Sequence, residues 1–141
     1  MDAVDHINVD VDDLEACFRF YRDVLDLELL RPPEDFRGEH AMFRAGDTVV
    51  TLAATGRAAN WKEADLDHPL DKAHVAFETD RTAYEALIAE LDGQFPNQGP
   101  YDWGDFEGFY FLDPDGNLLE VVTYDPQTVD RTLLTHDVVE E

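Results

Sequence analysis

The heptapeptide His-Ile-Asn-Val-Asp-Val-Asp at residues 6–12 returns in altered form at residues 74–80, as His-Val-Ala-Phe-Glu-Thr-Asp. Both copies carry His first, apolar residues at the second and fourth places, an acid at the fifth and Asp at the seventh. Such alternation is typical of a strand with one buried face. A set of apolar residues at helical spacing follows each copy. The repeat therefore predicts a strand–helix unit that occurs twice.

Each unit then continues into a predicted hairpin. The first hairpin turns at Ala45-Gly46-Asp47 and the second at Asp113-Pro114-Asp115-Gly116, whose Pro and Gly suit a type I turn. Shorter strands are expected near residues 27–30 and 94–95. The chain is thus read as one domain, 1–141, made of a module at about 4–56, a linker at 57–70, a second module at about 71–125 and an acidic tail at 126–141.

Composition narrows the classes of partner. The 141 residues include 33 Asp and Glu against 10 Lys and Arg, a formal net charge of −23. Such a field repels phosphate backbones and anionic lipid, so we expect neither nucleic-acid nor membrane binding. A surface this acidic suggests a halophilic source, and the absence of a signal-like N-terminus suggests a cytoplasmic protein. The single cysteine, Cys17, excludes a disulfide framework and is expected to be a small core residue.

Three residues point to a metal. In the first strand Ile7, Val9 and Val11 form the apolar face, so His6 and Asn8 face the other way, and by the repeat so does His74. Glu120 interrupts the apolar run at 118–122, where an unpartnered buried carboxylate would cost several kcal/mol. Two imidazoles and a carboxylate form a familiar ligand set for Fe(II), Mn(II) or Zn(II).

Two simpler interpretations stay open: His6 as an ordinary surface residue, and Glu120 as a solvent-facing residue of an edge strand. Aligning the two hairpins places Thr51 where the second module has Glu120. The predicted site therefore has three ligands and open positions for water or substrate, which favours an enzyme over a structural metal site. His40, His68 and His136 have no counterpart in the repeat.

The segment Gly108-Phe-Tyr-Phe-Leu-Asp-Pro-Asp-Gly-Asn-Leu-Leu-Glu120, together with the paired histidines, resembles the vicinal oxygen chelate superfamily. That superfamily includes glyoxalase I, extradiol ring-cleaving dioxygenases, fosfomycin-resistance transferases and bleomycin-binding proteins. The resemblance implies an α+β fold of two βαβββ modules forming a cup-shaped, mostly antiparallel sheet with the helices outside. It also implies a homodimer and one divalent metal per site (Fe, Mn, Zn or Ni), with His6, His74 and Glu120 as ligands.

The resemblance implies a glyoxalase-like lyase or isomerase that acts on a small molecule through two adjacent oxygens. The place of a fourth ligand in glyoxalase I is taken here by Thr51. Fosfomycin transferases have a Tyr matching Tyr110, but the segment 97–109 lacks the Lys or Arg that a phosphonate requires, and Arg131 is displaced. We expect Tyr110 to be catalytic, and Asn8, Thr51 and Trp103 to contact the substrate.

Two alternatives remain. An extradiol dioxygenase also uses two His and one Glu, with a Tyr ten residues before the Glu, as Tyr110 stands before Glu120. A non-catalytic binding protein of the bleomycin-resistance kind would instead use an aromatic loop to stack on a planar ligand. That loop is expected to contain Tyr101, Trp103, Phe106 and Phe109.

Overall fold

A computed structural model describes residues 1–124 of the chain. The predicted acidic tail at 126–141, with Arg131 and His136, lies outside the described residues. The chain folds as two compact units. Within the described residues, unit 1 consists of Met1–Lys62 and Leu112–Asn117, and unit 2 consists of Glu63–Phe111 and Leu118–Tyr124.

Unit 1 contains a four-stranded mixed sheet, one α-helix with a π-helical extension, and a short 3₁₀ turn (Pro33–Phe36). In chain order these are β1 (His6–Val11), helix α1 (Leu14–Arg19), which widens into a π-helical turn (Phe20–Val24), β2 (Glu28–Arg31), β3 (His40–Ala45) and β4 (Thr48–Ala54). The strand order is β1-β4-β3-β2, with β1 parallel to β4 and the other pairs antiparallel. The strand predicted near 27–30 and the first hairpin are both present.

Unit 2 repeats the plan of unit 1. It contains β5 (Val75–Glu78), α2 (Arg81–Leu91), β6 (Asn97–Asp102), β7 (Glu107–Leu112) and β8 (Leu118–Thr123), after two short 3₁₀ turns (Glu63–Asp67 and Pro69–Asp71). The order is β5-β8-β7-β6, with β5 parallel to β8. The predicted α+β fold of two βαβββ modules is therefore confirmed.

Aspartates begin both helices. The Oδ1 atom of Asp13 accepts a hydrogen bond from the backbone N–H of Ala16 at 3.0 Å, and Asp80 does the same for Ala83 at 2.8 Å. A side-chain oxygen at this place satisfies an N–H group that has no partner within the helix. The helix that follows each repeated strand thus starts where the sequence turns from alternating to helical spacing.

The core of unit 1 encloses Cys17. Cys17 is fully buried, as are Val11, Tyr21, Phe43 and Leu52 of the same unit. Burial is the main cause that raises the pKa of the Cys17 thiol far above its usual value, and the nearby Asp113 adds to it. The prediction that Cys17 is a small core residue is therefore confirmed, since a thiol held protonated this firmly is a poor nucleophile.

The strand predicted near 94–95 is absent, and the aromatic loop predicted beyond it is present only in part, since Trp103 and Phe106 lie between β6 and β7 whereas Tyr101 and Phe109 lie in strands. The strand β6 begins at Asn97 and runs through Tyr101, and Phe109 lies within β7. β6 is the outer strand of its sheet, and its pairing with β7 shifts register between Gln98 and Tyr101. Gly and Pro at 99–100 suggest a loop by composition, but Pro is tolerated in an edge strand. Among residues 1–124, no helix combines the length and the apolar character that a bilayer crossing requires.

Candidate metal centre

The structure brings two of the three predicted ligands together in unit 2. β5 lies parallel to β8 with Ala76 opposite Glu120, and His74 stands two residues earlier on the chain. His74 Nε2 is 3.3 Å from Oε1 of Glu120. The Glu120 side chain is only 6% exposed and that of His74 21% exposed. Glu120 is thus a buried residue of an inner strand, which excludes the alternative of a solvent-facing edge position.

A backbone carbonyl orients the His74 ring. Nδ1 of His74 lies 2.9 Å from the carbonyl oxygen of Lys72, which can only accept, so Nδ1 carries the proton and donates it. This contact leaves Nε2 directed at Glu120. The hydrogen bond with Glu120 is the largest cause that raises the pKa of His74, against the opposing effect of burial. An imidazole held this way, with one nitrogen donating to a carbonyl and the other facing a carboxylate, has the orientation that histidine metal ligands commonly show.

The second carboxylate oxygen of Glu120 has no hydrogen-bond partner among residues 1–124, although it is buried. Gly108 faces it from β7, and a Cβ atom at position 108 would overlap Oε2. A buried carboxylate oxygen without a partner costs free energy unless a proton or a cation satisfies it. One imidazole nitrogen and one carboxylate, held together with an orphaned oxygen, form a donor set that fits a divalent metal.

Tyr110 borders this pair. Its side chain is buried, and its ring meets the His74 ring edge to face with centroids 5.4 Å apart. Burial raises the pKa of the Tyr110 hydroxyl well above its usual value, and the charge of Glu120 and a hydrogen bond to it raise it further. Tyr110 therefore stays protonated at neutral pH and acts as a donor rather than as a phenolate.

Two further aromatic side chains of unit 2, Tyr101 and Trp103, extend the ring contacts that begin at Tyr110. Tyr101 meets Tyr110 edge to face at 5.8 Å, and Trp103 stacks on Tyr101 with centroids 5.5 Å apart and planes 27° from parallel. Trp103 is 36% exposed, so this row of rings leads from the buried pair to the surface of the unit. The predicted substrate residue Trp103 thus lies in the same cluster as Tyr110.

The remaining predicted residues belong to unit 1. His6 opens β1, with its side chain 56% exposed and its Nδ1 2.8 Å from Oδ2 of Asp5. Asn8 is exposed and lies opposite Thr51 on β4, as Ala76 lies opposite Glu120 in unit 2. Thr51 therefore occupies the position equivalent to Glu120. Within the part of the chain that the structure describes, no three His, Cys, Asp or Glu side chains form a group that could hold a metal.

Sequence reasoning missed Gly108 and Lys72 as parts of the site. Gly108 stands two residues before Tyr110 in an alternating strand, so its place on the same face could be read from the sequence. The importance of Gly108 could not be read from the sequence, because it depends on the absence of a Cβ atom opposite the Glu120 carboxylate on the neighbouring strand. Lys72 contributes its backbone carbonyl, which accepts a hydrogen bond from His74, and a pattern of side chains cannot predict such a contact.

Comparison with known proteins assigns the chain to a family. Residues 3–121 match the model of the Glyoxalase/Bleomycin resistance protein/Dioxygenase superfamily. Metallothiol transferase FosB of Staphylococcus epidermidis is 30% identical over 86% of this chain and 81% of its own, and lactoylglutathione lyase of Haemophilus influenzae is 26% identical over 83% and 89%. A crystal structure of a glyoxalase/dioxygenase from Nostoc punctiforme shares the fold, with a TM-score of 0.69 at 24% identity over 87% of this chain and 91% of that one. The chain belongs to the glyoxalase/bleomycin resistance protein/dioxygenase superfamily.

Proposed function

We propose that this protein is a divalent-metal-dependent enzyme, a lyase or isomerase acting on a small α-oxo or vicinal-diol compound. The observation that carries the proposal is the buried Oε2 atom of Glu120, which has no partner among residues 1–124 and belongs to a carboxylate that faces Nε2 of His74. A carboxylate in such surroundings is stable only when a cation or proton balances it. A metal held there would act as a Lewis acid that polarises two adjacent substrate oxygens.

His6 is the proposed third ligand. It is the counterpart of His74 in the repeat, and its side chain is accessible on β1. The resemblance to vicinal oxygen chelate enzymes implies a homodimer in which a metal site draws residues from both chains. We therefore propose that His6 of a second copy joins His74 and Glu120. The metal is one of Fe, Mn, Zn and Ni, all of which accept imidazole and carboxylate ligands.

The residues around the ligands have separate roles in the proposal. Tyr110, which is protonated and adjacent to His74, donates a hydrogen bond or a proton to a substrate oxygen. Asn8 and Thr51 offer neutral polar groups to the substrate from β1 and β4. Trp103, which stacks on Tyr101, also contacts the substrate. The lyase reaction is supported by the similarity to lactoylglutathione lyase.

An extradiol ring-cleaving dioxygenase is the second candidate. The observation that favours it is the position of Tyr110, ten residues before Glu120 and in ring contact with His74. Oxygen consumption with catechol by the iron- or manganese-loaded protein decides between the two reactions. Consumption supports the dioxygenase, and its absence from protein that carries the metal supports the lyase.

Elemental analysis of the purified protein tests the metal site. We expect about one divalent metal per chain, because one carboxylate and two imidazoles make a single site. His74→Ala and Glu120→Gln should lose the metal, whereas His68→Ala, an exposed histidine of the same unit, should keep it. Wild-type protein that takes up none of the four metals on reconstitution would refute the proposal.

A further inference from the structure

Two polar atoms of unit 2 border the same small space beside Gly108. A Cβ atom built on Gly108 would lie 3.3 Å from Nε1 of Trp103 and would overlap Oε2 of Glu120. The carboxylate oxygen therefore fills the space that a side chain at position 108 would occupy, and the indole nitrogen borders the same space. Gly108 is itself buried, so this space lies inside the cluster and not on the outer surface of the strand.

Neither polar atom is satisfied by the part of the chain that the structure describes. Oε2 of Glu120 has no partner there, and the Trp103 indole N–H makes no hydrogen bond to any residue of 1–124. The ring is nevertheless held in place. Its face stacks on Tyr101, and its backbone N–H donates to the carbonyl of Phe106 at 2.9 Å. A fixed donor beside an orphaned acceptor is an arrangement that a bound oxygen atom would complete.

The donors at this site carry no charge. They are the indole N–H of Trp103 and the phenol hydroxyl of Tyr110, whose ring contacts that of His74. The only Lys and Arg residues within 63–111 and 118–124 are Lys72 and Arg81. Lys72 donates to the carbonyl of His68 at 3.2 Å, and both terminal nitrogens of Arg81 meet the carboxylate of Glu107 at 3.1 Å. Among the described residues of the unit, both cations thus already contact acceptors of the unit itself.

We propose that Trp103 is a substrate-positioning residue whose indole N–H donates a hydrogen bond to an uncharged hydroxyl or carbonyl oxygen of the substrate. The expected substrates are accordingly small neutral molecules with two adjacent oxygens. A carboxylate or phosphonate group next to those oxygens should lower the affinity of the protein for the compound. A neutral donor supports an uncharged oxygen well, whereas an anionic group needs the charge-assisted contacts that Arg or Lys provide. The inference rests on the proposed function, because it takes Glu120 and His74 as the residues that hold the reacting end.

Matched variants and matched ligands test this inference. Trp103→Phe keeps an aromatic ring and removes the N–H, and Trp61→Phe changes the other tryptophan of the chain, which lies in unit 1. Catechol and 3,4-dihydroxybenzoate present the same diol and differ by one carboxylate. Calorimetric titration of each protein with each compound, with and without the divalent metal, gives the dissociation constants. Metal content is measured in the same samples.

We expect the wild-type protein to bind catechol at least about tenfold more tightly than 3,4-dihydroxybenzoate. Trp103→Phe should weaken catechol binding about three- to tenfold, the worth of one neutral hydrogen bond, while its metal content stays at the wild-type value. Trp61→Phe should change neither. Equal catechol affinity in wild type and Trp103→Phe, no catechol binding by wild type, or tighter binding of the carboxylated compound would each overturn the inference. Wild-type protein that takes up no metal, but loses catechol affinity on Trp103→Phe, would refute the proposed metal enzyme and sustain the role of Trp103.

Discussion

At the scale of single residues, the position of Glu120 in the sequence already predicts much of its environment. It is the one charged residue of a strand whose six positions are all buried. An acid within an apolar run predicts a compensating partner, and His74 is found directly before the adjacent strand β5. The sequence does not predict how the carboxylate fits there. That depends on Gly108, whose role is to lack a side chain opposite Glu120.

Gly108→Ala should therefore displace the Glu120 carboxylate. We expect a loss of about 1–3 kcal/mol of unfolding free energy, the usual cost of overpacking, together with loss of metal binding. Chemical denaturation and metal analysis measure the two effects. The matched variant is Glu120→Asp, whose shorter side chain leaves room for the added methyl group. If the two substitutions in one chain cost as much as the sum of their separate costs, the overlap between position 108 and Glu120 is not the cause.

Two buried tyrosines give a second prediction at this scale. The hydroxyl of Tyr21 donates to Oδ2 of Asp113 at 2.7 Å within unit 1, whereas the buried hydroxyl of Tyr84 has no partner among residues 1–124. Tyr21→Phe should cost about 1.5–3 kcal/mol at neutral pH, because it removes a hydrogen bond from an ionised group. Tyr84→Phe removes an unpaired hydroxyl and should cost less than about 1 kcal/mol.

The cost of Tyr21→Phe should also depend on pH. Burial raises the pKa of Asp113 in the folded protein, while the bond from Tyr21 acts in the opposite direction by favouring the ionised form. A raised folded pKa means that Asp113 stabilises the fold at low pH and that this contribution is lost as the pH rises through that pKa. Removing the Tyr21 hydroxyl raises the pKa further, so the penalty should shrink as the medium becomes more acidic. Urea unfolding of both proteins from pH 4 to 7 measures it, and a penalty that grows at low pH contradicts the assignment.

At the scale of elements, alternation and turn residues predicted the strands that begin each module and both hairpins. They failed at β6, where Gly99 and Pro100 suggest a loop although the segment 97–102 pairs with β7. An edge strand needs hydrogen bonds on one side only, so composition underestimates it. The repeat also predicted the place of Thr51. Thr51 lies opposite Asn8 in unit 1, just as Glu120 lies opposite Ala76 in unit 2. The two units therefore share a strand register but carry different side chains at the equivalent position, a hydroxyl in one and a carboxylate in the other.

The turn after β7 gives a prediction at this scale. Oδ2 of Asp115 accepts the backbone N–H groups of Asp12 at 2.6 Å and Asp13 at 2.8 Å, where β1 leads into α1. Asp115→Ala removes the acceptor of both N–H groups, which lie in exposed positions where water can partly replace it, and should cost about 1–2 kcal/mol of unfolding free energy. Asp102→Ala is the control, since its carboxylate accepts from the nearby backbone of Gly104 in an exposed position and should cost less than about 1 kcal/mol. Equal costs in urea unfolding would show that the turn does not anchor the start of α1.

At the scale of the whole molecule, the proposed metal site takes His6 from a second copy of the chain. His74 and Glu120 belong to unit 2 and are in contact, whereas His6 belongs to unit 1. A ligand set drawn from two copies has a property that no single-chain site has. When one variant is defective in unit 1 and another in unit 2, a mixed dimer of the two still contains one intact site, built from the undamaged unit of each chain.

We therefore predict that a co-refolded equal mixture of His6→Ala and His74→Ala binds metal although neither variant does so alone. Half of the dimers should be mixed and each should hold one intact site of two, so about a quarter of the wild-type metal content should return. A mixture of His74→Ala and Glu120→Gln is the matched control, because both substitutions damage unit 2 and every combination leaves a defective pair. Metal analysis of the refolded dimers, with differently tagged chains to isolate the mixed species, gives the result. A His6→Ala and His74→Ala mixture as empty as the control would mean that His6 acts within its own chain or is not a ligand.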